Sequence, residues 1–274
     1  MNSTFWSKAN DLSNRGFSWR LTRWLRAWIR WAGVASTQWA DDPRVMRAWW
    51  RGWESVHYLR LLRWRDEGFG PLVVYDIGAH VGLWSAMVQD LFHPRQVVLF
   101  EPQAQFHKIA LRRQPNSAAN WRLMPYALGD RSADVDLYRT RNQAASSLLR
   151  PIETQSTIDL PTASEGTQPV RVMMLDELAE KEMLPGPDLI KIDVQGFEAQ
   201  VLAGGEKTMR QTQRAVIEVS LHTLYQSQKL IGDILPLVAH AGFAVDDITE
   251  AYSPWPDLRL WQVDIWLRRI SREG

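Results

Sequence analysis

The stretch that most constrains the fold is residues 72–82, which reads Leu-Val-Val-Tyr-Asp-Ile-Gly-Ala-His-Val-Gly. Its first four residues are apolar, a pattern typical of a strand buried on both faces in a parallel sheet. The run ends at Asp76 and passes through Gly78 and Gly82 into an apolar helical segment at 83–91. Glycines at such a turn let the backbone bend tightly and approach a ligand closely. The stretch therefore predicts a strand, turn and helix around a ligand site.

A second strand end carries another carboxylate. Residues 97–100 are apolar and are followed by Glu101 and Pro102, so that Glu101 lies 25 residues after Asp76. This separation is close to the offset of about 20 residues at which an acidic side chain binds the ribose hydroxyls in nucleotide-binding α/β sheets. Two acids around a glycine turn suit a ligand with a ribose and a positive charge. S-adenosylmethionine has both.

The rest of the chain alternates strands and helices, as a doubly wound α/β sheet requires. Short apolar runs predict strands at 72–76, 96–100, 122–125, 170–174, 187–193, 215–220 and 243–246. Helical segments are predicted at 83–92, 103–113, 176–182, 198–203 and 227–241. Residues 134–138 are hairpin-like, and 257–267 suit a last strand inserted antiparallel. Residues 140–168 have no clear period, which predicts a lid, a binding loop or a disordered segment.

The composition changes near residues 68–71. Residues 1–70 carry twelve basic residues against six acids, and ten of the fifteen tryptophans lie in the first 64 positions. We predict a Trp/Arg-rich helical N-terminal extension at 1–70, with helices at 19–32 and 43–66, before a catalytic domain at 71–274. The helix at 19–32 places Trp and Leu opposite Arg, which fits packing on the domain, a second subunit or a membrane surface. Its modest charge does not predict a nucleic-acid partner.

Several protein classes are excluded by composition. The absence of cysteine excludes disulfides, thiolate metal sites and a cysteine nucleophile. The sequence contains no apolar run of 18 residues, so it predicts no membrane-spanning helix. It also shows no secretory signal pattern at the N-terminus. We therefore expect a cytoplasmic protein, and a peripheral contact with the inner face of the membrane stays open. No His, Asp and Glu pattern has metal-ligand spacing, so we predict no required metal.

Three sequence blocks in a fixed order resemble the FkbM-type methyltransferases. They are the Asp76-x-Gly78-x-x-x-Gly82 turn, the Phe100-Glu101-Pro102 strand end, and residues 191–198, Lys-Ile-Asp-Val-Gln-Gly-Phe-Glu, which are followed by Val-Leu-Ala-Gly-Gly. The resemblance covers roughly 73–245. It implies a Rossmann-like class I methyltransferase fold, with a mostly parallel seven-stranded sheet and one antiparallel strand. It also implies S-adenosylmethionine as the cofactor and methylation of hydroxyl oxygens.

The resemblance also implies site residues. Asp76, Gly78 and Gly82 would hold the methionine part of the cofactor, Glu101 the ribose hydroxyls, and the 127–130 turn would lie near the adenine. His80 stands where the family commonly has Asn, and its ring is expected to touch the cofactor. Gln195 stands where Glu is common, which removes a charge near the reaction centre. The predicted cofactor-binding residues are Asp76, Gly78, His80, Gly82, Glu101, Pro102, Ala127, Leu128 and Asp193.

Alcohol acceptors usually need a general base, and three residues are candidates. Asp193 comes first, because a carboxylate at a strand end of an α/β sheet faces the ligand crevice. His222 follows the 215–220 strand, and histidine is the side chain most often able to accept a proton at neutral pH. Glu198 is the third, although the helix dipole alone favours an acid in a first turn. Lys191 and Glu218 lie on neighbouring predicted strands, where a buried cross-strand ion pair is expected.

The prediction is S-adenosylmethionine-dependent methyl transfer to a hydroxyl of a glycan, glycolipid or small natural product. Two alternatives stay open. An NAD-type oxidoreductase shares the layout of strand, glycine turn and acid, but Gly78 and Gly82 lack the G-x-G-x-x-G spacing. A catalytically inert scaffold, acting in assembly or at a membrane surface, would explain Gln195.

Overall fold

The computed structural model describes residues 48, 51, 53–115, 120–152, 164–252 and 259–270. The chain divides into two compact units, Met1–Asp66 and Glu67–Gly274. The predicted domain boundary after residue 70 stays a prediction, and the predicted helix at 19–32 lies outside the described residues. In the first unit, helix α1 spans Ser55–Asp66 and has Leu61, Leu62 and Trp64 fully buried.

The helix predicted at 43–66 is interrupted rather than continuous. It ends at Asp66 as expected and Ala48 is helical, but Arg51, Trp53 and Glu54 are not, and α1 begins only at Ser55. The sequence has Gly52 at this break, and glycine in a helix interior costs about 1 kcal/mol relative to alanine.

The second unit contains all ten strands and the remaining helices of the described chain. The strands are β1 Val73–Ile77, β2 Gln96–Phe100, β3 Asn120–Met124, β4 Ala127–Leu128, β5 Ala133–Thr140, β6 Ser164–Met173, β7 Leu189–Ile192, β8 Arg214–Ser220, β9 Phe243–Tyr252 and β10 Gln262–Arg269. The helices are α2 Leu83–Phe92, α3 Ala104–Leu111, α4 Leu175–Lys181, α5 Glu198–Gly204, α6 Glu206–Gln211 and α7 Ile231–His240.

A seven-stranded sheet forms the centre, in the order β3-β2-β1-β7-β8-β10-β9. The first five strands pair in parallel, and β10 runs antiparallel to both of its neighbours, β8 and β9. This is the predicted doubly wound, Rossmann-like sheet with one inserted antiparallel strand, which is confirmed. The order reverses at β1, since β2 and β3 lie on one side of it and β7 on the other.

The inner strands form because their side chains are apolar on both faces. The fully buried positions include Val74, Tyr75, Val97, Val98, Leu99, Leu189, Ile190, Val216 and Ile217. Burying a single side chain of this size contributes about 1.5–3 kcal/mol. Because this core fixes the inner strands against one another, it also fixes the polar residues that follow each strand.

A second, three-stranded sheet was not predicted. Its order is β4-β6-β5, with β5 antiparallel to β6 and β4 parallel to it. The sequence predicts only a hairpin-like stretch at 134–138 and a short strand at 170–174. The predicted loop at 140–168 is also partly wrong, because a 3₁₀ turn, Gln143–Ala145, and the start of β6 lie within it. Residues 153–163 lie outside the described part.

Two further boundaries differ from the prediction. Helix α7 begins at Ile231 rather than at 227, because the Gln228 side-chain oxygen accepts the N–H groups of Leu224 and Tyr225 and holds a loop there. Strand β9 continues to Tyr252, past the predicted end at 246, because it pairs with β10 along its length. Within the described residues, no helix is long and apolar enough to cross a membrane.

Candidate active site

The carboxyl ends of β1, β2, β7 and β8 lie along one edge of the central sheet. β1 ends directly before Gly78 and β7 directly before Asp193, and the Asp193 N–H donates to the Ile77 carbonyl at 3.0 Å. In open α/β sheets, ligands bind outside the carboxyl ends of the strands, where the strand order reverses. The reversal at β1 therefore places a ligand crevice next to Gly78 and Asp193.

The turn after β1 needs glycine at two positions. Gly78 has a φ of 80° and Gly82 a φ of 73°, both in the left-handed region that favours glycine. A Cβ on Gly78 would lie 1.9 Å from the backbone oxygen of Asp193, so the two chain segments meet more closely than a side chain allows. Gly82 caps the N-terminus of α2, and a Cβ there would lie 3.2 Å from Ala110.

Glu101 follows β2 and is held by two backbone donors. Its Oε2 atom accepts the His80 N–H at 2.8 Å, and its Oε1 atom accepts the Gln103 N–H at 2.8 Å. The side chain is only 3% exposed. Burial raises the pKa of Glu101 to about 7, against the opposing effect of these two hydrogen bonds. Each carboxylate oxygen keeps a second lone pair for a hydroxyl donor.

A crevice that is partly open to solvent lies at this edge of the sheet. Seven of the predicted cofactor-binding residues line it: Gly78, His80, Glu101, Pro102, Ala127, Leu128 and Asp193.

Two predicted cofactor-binding residues, Asp76 and Gly82, are not among those lining residues. Asp76 is fully buried and accepts the Ser85 hydroxyl at 2.6 Å. Burial raises its pKa, while Lys191 and Ser85 act in the opposite direction. Asp76 thus ties β1 to α2 behind the turn.

Lys191 forms its ion pair with Asp193, whereas a buried cross-strand pair with Glu218 was expected. Its Nζ atom lies 2.8 Å from Asp193 Oδ2. Burial would lower the pKa of Lys191, but the neighbouring carboxylates outweigh burial and raise it. The prediction failed because Lys191 and Asp193 are two residues apart in extended chain, which puts both side chains on the same face.

Gln195 joins two carboxylates. Its Nε2 atom donates to Asp193 Oδ1 at 2.7 Å and to Glu218 Oε2 at 2.5 Å. Its Oε1 atom accepts the Tyr225 hydroxyl at 3.2 Å. The residue has a φ of 55° and is 8% exposed, and it lines the crevice. An ionised glutamate at this position could not bridge the two carboxylates in this way, because a carboxylate donates no hydrogen bond.

The other two predicted catalytic residues lie away from the crevice lining. Glu198 is 3% exposed and its Oε1 atom accepts the Gly196 N–H at 2.9 Å. Burial raises the pKa of Glu198 to about 7, although backbone hydrogen bonds oppose the shift. The His222 ring lies beside Trp261, with ring centroids 5.5 Å apart. The structure brings only Asp193 of the three into the lining.

The lining also contains residues that the sequence did not single out. Gln143, Ala144, Ser146 and Leu148 come from the segment after β5. The Ser147 hydroxyl anchors this segment by donating to the Gln195 backbone oxygen at 2.6 Å. The sequence at 140–168 has no periodicity and no motif that would single out these lining residues. Only the prediction of a binding loop there pointed to them.

The lining residues fit S-adenosylmethionine, which the structure does not contain. The Nε2 atom of His80 is buried and has no hydrogen-bond partner in the described chain, so it is available to a ligand at the crevice. Burial lowers the pKa of His80, which favours the neutral ring. Glu101 offers oxygen lone pairs for ribose hydroxyls, and Asp193 offers a carboxylate for the sulfonium charge. Among the described residues, no group of three or more His, Asp or Glu side chains could hold a metal ion.

The raised pKa of Glu101 predicts that the protein without cofactor loses stability as pH rises. Between about 4.5, the usual value, and about 7, the folded state binds more protons than the unfolded state. The unfolding free energy therefore falls across this window, by up to about 3 kcal/mol from this group. Urea unfolding at pH 5 and pH 8 measures the change, and Glu101→Gln should remove this share of it. An equal change in both proteins would contradict the prediction.

Comparison with known proteins places the chain among methyltransferases. The family model described as the methyltransferase FkbM domain matches residues 76–245, more than half of the chain. The chain belongs to the FkbM methyltransferase family. Membership confirms the resemblance seen in the three sequence blocks and S-adenosylmethionine as the cofactor, and it excludes the predicted NAD-type alternative.

Two curated relatives and one solved structure illustrate the similarity. The 2-O-methyltransferase NoeI of Sinorhizobium fredii is 28% identical over 176 residues, 60% of this chain and 71% of that protein. The hexuronic acid methyltransferase AglP of Haloferax volcanii is 24% identical over 169 residues, 62% of this chain and 63% of that protein. Magnesium protoporphyrin IX methyltransferase from Synechocystis PCC 6803 is 14% identical, with a TM-score of 0.42 over 89% of this chain and 91% of that one.

Proposed function

We propose that this methyltransferase acts on a hydroxyl oxygen of a glycan, glycolipid or small natural product. The observation that carries the proposal is the charge of the crevice. Its lining includes the carboxylates of Glu101 and Asp193, and no lysine or arginine of the described chain. The nearby Lys191 ammonium is already paired with Asp193. Such a site repels an anionic acceptor and suits a neutral hydroxyl.

The names of the two curated relatives support an oxygen acceptor and, for one of them, a sugar acid. One is named as a 2-O-methyltransferase and the other as a hexuronic acid methyltransferase. A hexuronic acid offers both hydroxyl and carboxylate oxygens to a methyl donor. The carboxylates of the lining favour the hydroxyls, because a carboxylate acceptor would be desolvated beside Glu101 and Asp193, and the Lys191 ammonium is already paired with Asp193.

The residues of the chain divide the work between donor and acceptor. S-adenosylmethionine, when bound, supplies a methyl group activated by the sulfonium charge. Glu101 would accept hydrogen bonds from its ribose hydroxyls, while Ala127 and Leu128 would pack near its adenine. Asp193 would stabilise positive charge beside the reacting atoms. Orientation of the two reactants in this way accounts for much of the rate that such an enzyme gains.

The N-terminal extension at 1–70 adds proposals that need separate tests. We propose that its Trp-rich helices contact a second copy of the chain or a membrane surface. Flotation of the full chain with vesicles of phosphatidylglycerol and phosphatidylcholine at low salt tests the membrane contact, and light scattering tests the dimer. A cytoplasmic location and the absence of a nucleic-acid partner likewise stay predictions.

The scaffold alternative rests on Gln195, and the geometry at this residue does not favour it. The amide donates to Asp193 and Glu218, so it holds the carboxylates in place rather than leaving the site without them. Enzymatic activity remains the better-supported reading.

The proposal is tested by methyl transfer from labelled S-adenosylmethionine to a panel of neutral acceptors. The panel contains methyl glycosides of common hexoses, a phenol and an aliphatic alcohol, so that any labelled product carries its methyl group on a hydroxyl oxygen. We expect transfer to at least one glycoside. Protein that binds S-adenosylhomocysteine but methylates no hydroxylated acceptor would contradict the proposal.

A further inference from the structure

Glu218 lies on β8 beside Asp193 but was predicted only as an ion-pair partner. The register pairs Ile192 with Ile217, so the next positions, Asp193 and Glu218, are neighbours at the carboxyl ends of β7 and β8. β8 lies next to β7 on the side away from β1. Glu218 is therefore on the side of Asp193 away from β1 and the predicted cofactor residues that follow it.

Two amide groups hold one oxygen of Glu218 and leave the other available. Its Oε2 atom accepts Gln195 Nε2 at 2.5 Å and Gln262 Nε2 at 2.7 Å. Its Oε1 atom accepts no hydrogen bond from any group in the described part of the chain, and the residue is partly accessible. A carboxylate fixed through one oxygen and free at the other is suited to receive a proton.

Asp193 is less suited to that task. Its Oδ2 atom accepts from the Lys191 ammonium at 2.8 Å and its Oδ1 atom accepts from Gln195 at 2.7 Å. A bonded ammonium stabilises the charged form of a carboxylate and so disfavours protonation. Glu198 is also less suited, because it is only 3% exposed, whereas Glu218 is partly exposed.

We propose that Glu218 is the general base for the acceptor hydroxyl and that Gln195 positions it. This inference rests on the proposed hydroxyl acceptor. As the acceptor oxygen bonds to the methyl carbon, its O–H bond breaks and the proton passes to Glu218 Oε1. The electron pair of the broken carbon–sulfur bond stays on sulfur, which becomes a neutral thioether. The proton then leaves to solvent, and the carboxylate is restored.

The charged groups around Glu218 are consistent with this role. Burial raises its pKa well above the usual range, and the carboxylates of Asp193, Asp264 and Glu198 act in the same direction, while Lys191 opposes them. A base with a raised pKa accepts a proton more readily once it is ionised. The rate should therefore rise with pH as Glu218 loses its proton.

The test compares Glu218→Gln, Asp193→Asn and the control Asp136→Asn, which removes an exposed carboxylate on β5. Single-turnover rates are measured from pH 5 to 9 with the glycoside that the wild type methylates. We expect Glu218→Gln to lose about 10²–10⁴-fold in rate and the rising limb of the profile, with S-adenosylhomocysteine affinity within about 3-fold. The same rate loss and lost limb in Asp193→Asn, with an intact profile in Glu218→Gln, would overturn the proposal.

A second variant and a second measurement separate a base from a structural residue. Asp264→Asn removes a negative neighbour, lowers the pKa of Glu218 and should move the rising limb to lower pH. Without any acceptor, ¹³C NMR of protein labelled at glutamate carboxyls should show a resonance that titrates well above the ordinary range of a glutamate and is missing in Glu218→Gln. Titration of that resonance near the ordinary value of about 4.3 would overturn the inference. A wild type that methylates no hydroxyl would contradict the proposed function instead.

Discussion

Replacing Glu101 with alanine should lower the affinity for S-adenosylhomocysteine by about 100-fold or more. The side chain lines the crevice, and its two oxygens are fixed by the N–H groups of His80 and Gln103. Hydrogen bonds to a charged group contribute about 1.5–3 kcal/mol each, so the loss of two ribose contacts suffices for this change. Alanine would also leave the two N–H donors without their acceptor. Calorimetric titration measures the loss directly.

A matched control separates this effect from a general loss of stability. Glu180→Ala removes an exposed carboxylate from α4 and should leave the affinity unchanged. Circular dichroism of both variants checks that the fold is retained. An affinity of Glu101→Ala within about 3-fold of the wild type would show that Glu101 does not contact the cofactor.

Replacing Gly78 with alanine should destabilise the whole domain. A Cβ at this position would lie 1.9 Å from the Asp193 backbone oxygen, and the φ of 80° is strained for any L-residue with a side chain. The strain alone costs about 1–3 kcal/mol. The overlap falls on backbone, so β1 and β7 must separate to relieve it. We expect a total loss above about 3 kcal/mol, which for a domain of this size lowers the melting temperature by roughly 6–12 °C.

A glycine at which a side chain has free space serves as the control. Gly232 lies in α7, and a Cβ there would meet nothing within 4 Å. Gly232→Ala should therefore be neutral or stabilising by up to about 1 kcal/mol, because alanine favours the helix. Thermal unfolding that shows equal stability for Gly78→Ala and wild type would contradict the described contact between the two strand ends.

The central sheet could be predicted because the sequence of each strand has a recognisable short-range pattern of apolar residues. β2 matches its predicted bounds at both ends, since four apolar residues stand between polar segments and a Glu-Pro stop. The antiparallel placement of β10 was also predicted. Its alternating sequence indicated a strand, and the FkbM resemblance implied one antiparallel strand among the seven. For these elements, short-range pattern and tertiary packing favour the same conformation.

The small sheet could not be predicted, because its strands depend on each other. β4 has only two residues, and β6 begins with residues 164–167, Ser-Glu-Gly-Thr, of which Ser164 and Thr167 pair with β5. Nothing in the composition of β4 or of the first four residues of β6 favours extended chain. The start of α7 depended on a side chain in the same way, because Gln228 holds the loop before the helix by accepting the N–H groups of Leu224 and Tyr225.

The sequence predicted where the candidate site lies more fully than how its side chains contact one another. Three strand-end carboxylates were identified from sequence, and two of them, Glu101 and Asp193, line the crevice. The hydrogen-bond partners of Glu101 and Asp193 could not be predicted from the sequence. Gln195 was interpreted as the loss of an acid, whereas its left-handed backbone turns the amide between Asp193 and Glu218. Such a contact depends on a turn geometry that sequence spacing alone does not specify.

The atom that receives the methyl group tests the account most directly. Methyl β-D-glucuronide offers both hydroxyls and a carboxylate, and the methylated product is identified by mass spectrometry before and after mild alkali. The account predicts a methyl ether, whose added mass survives alkali because transfer occurred to a hydroxyl beside the carboxylates of the site. A methyl ester that alkali removes would contradict it, since the protein would then methylate an anionic acceptor that needs no general base.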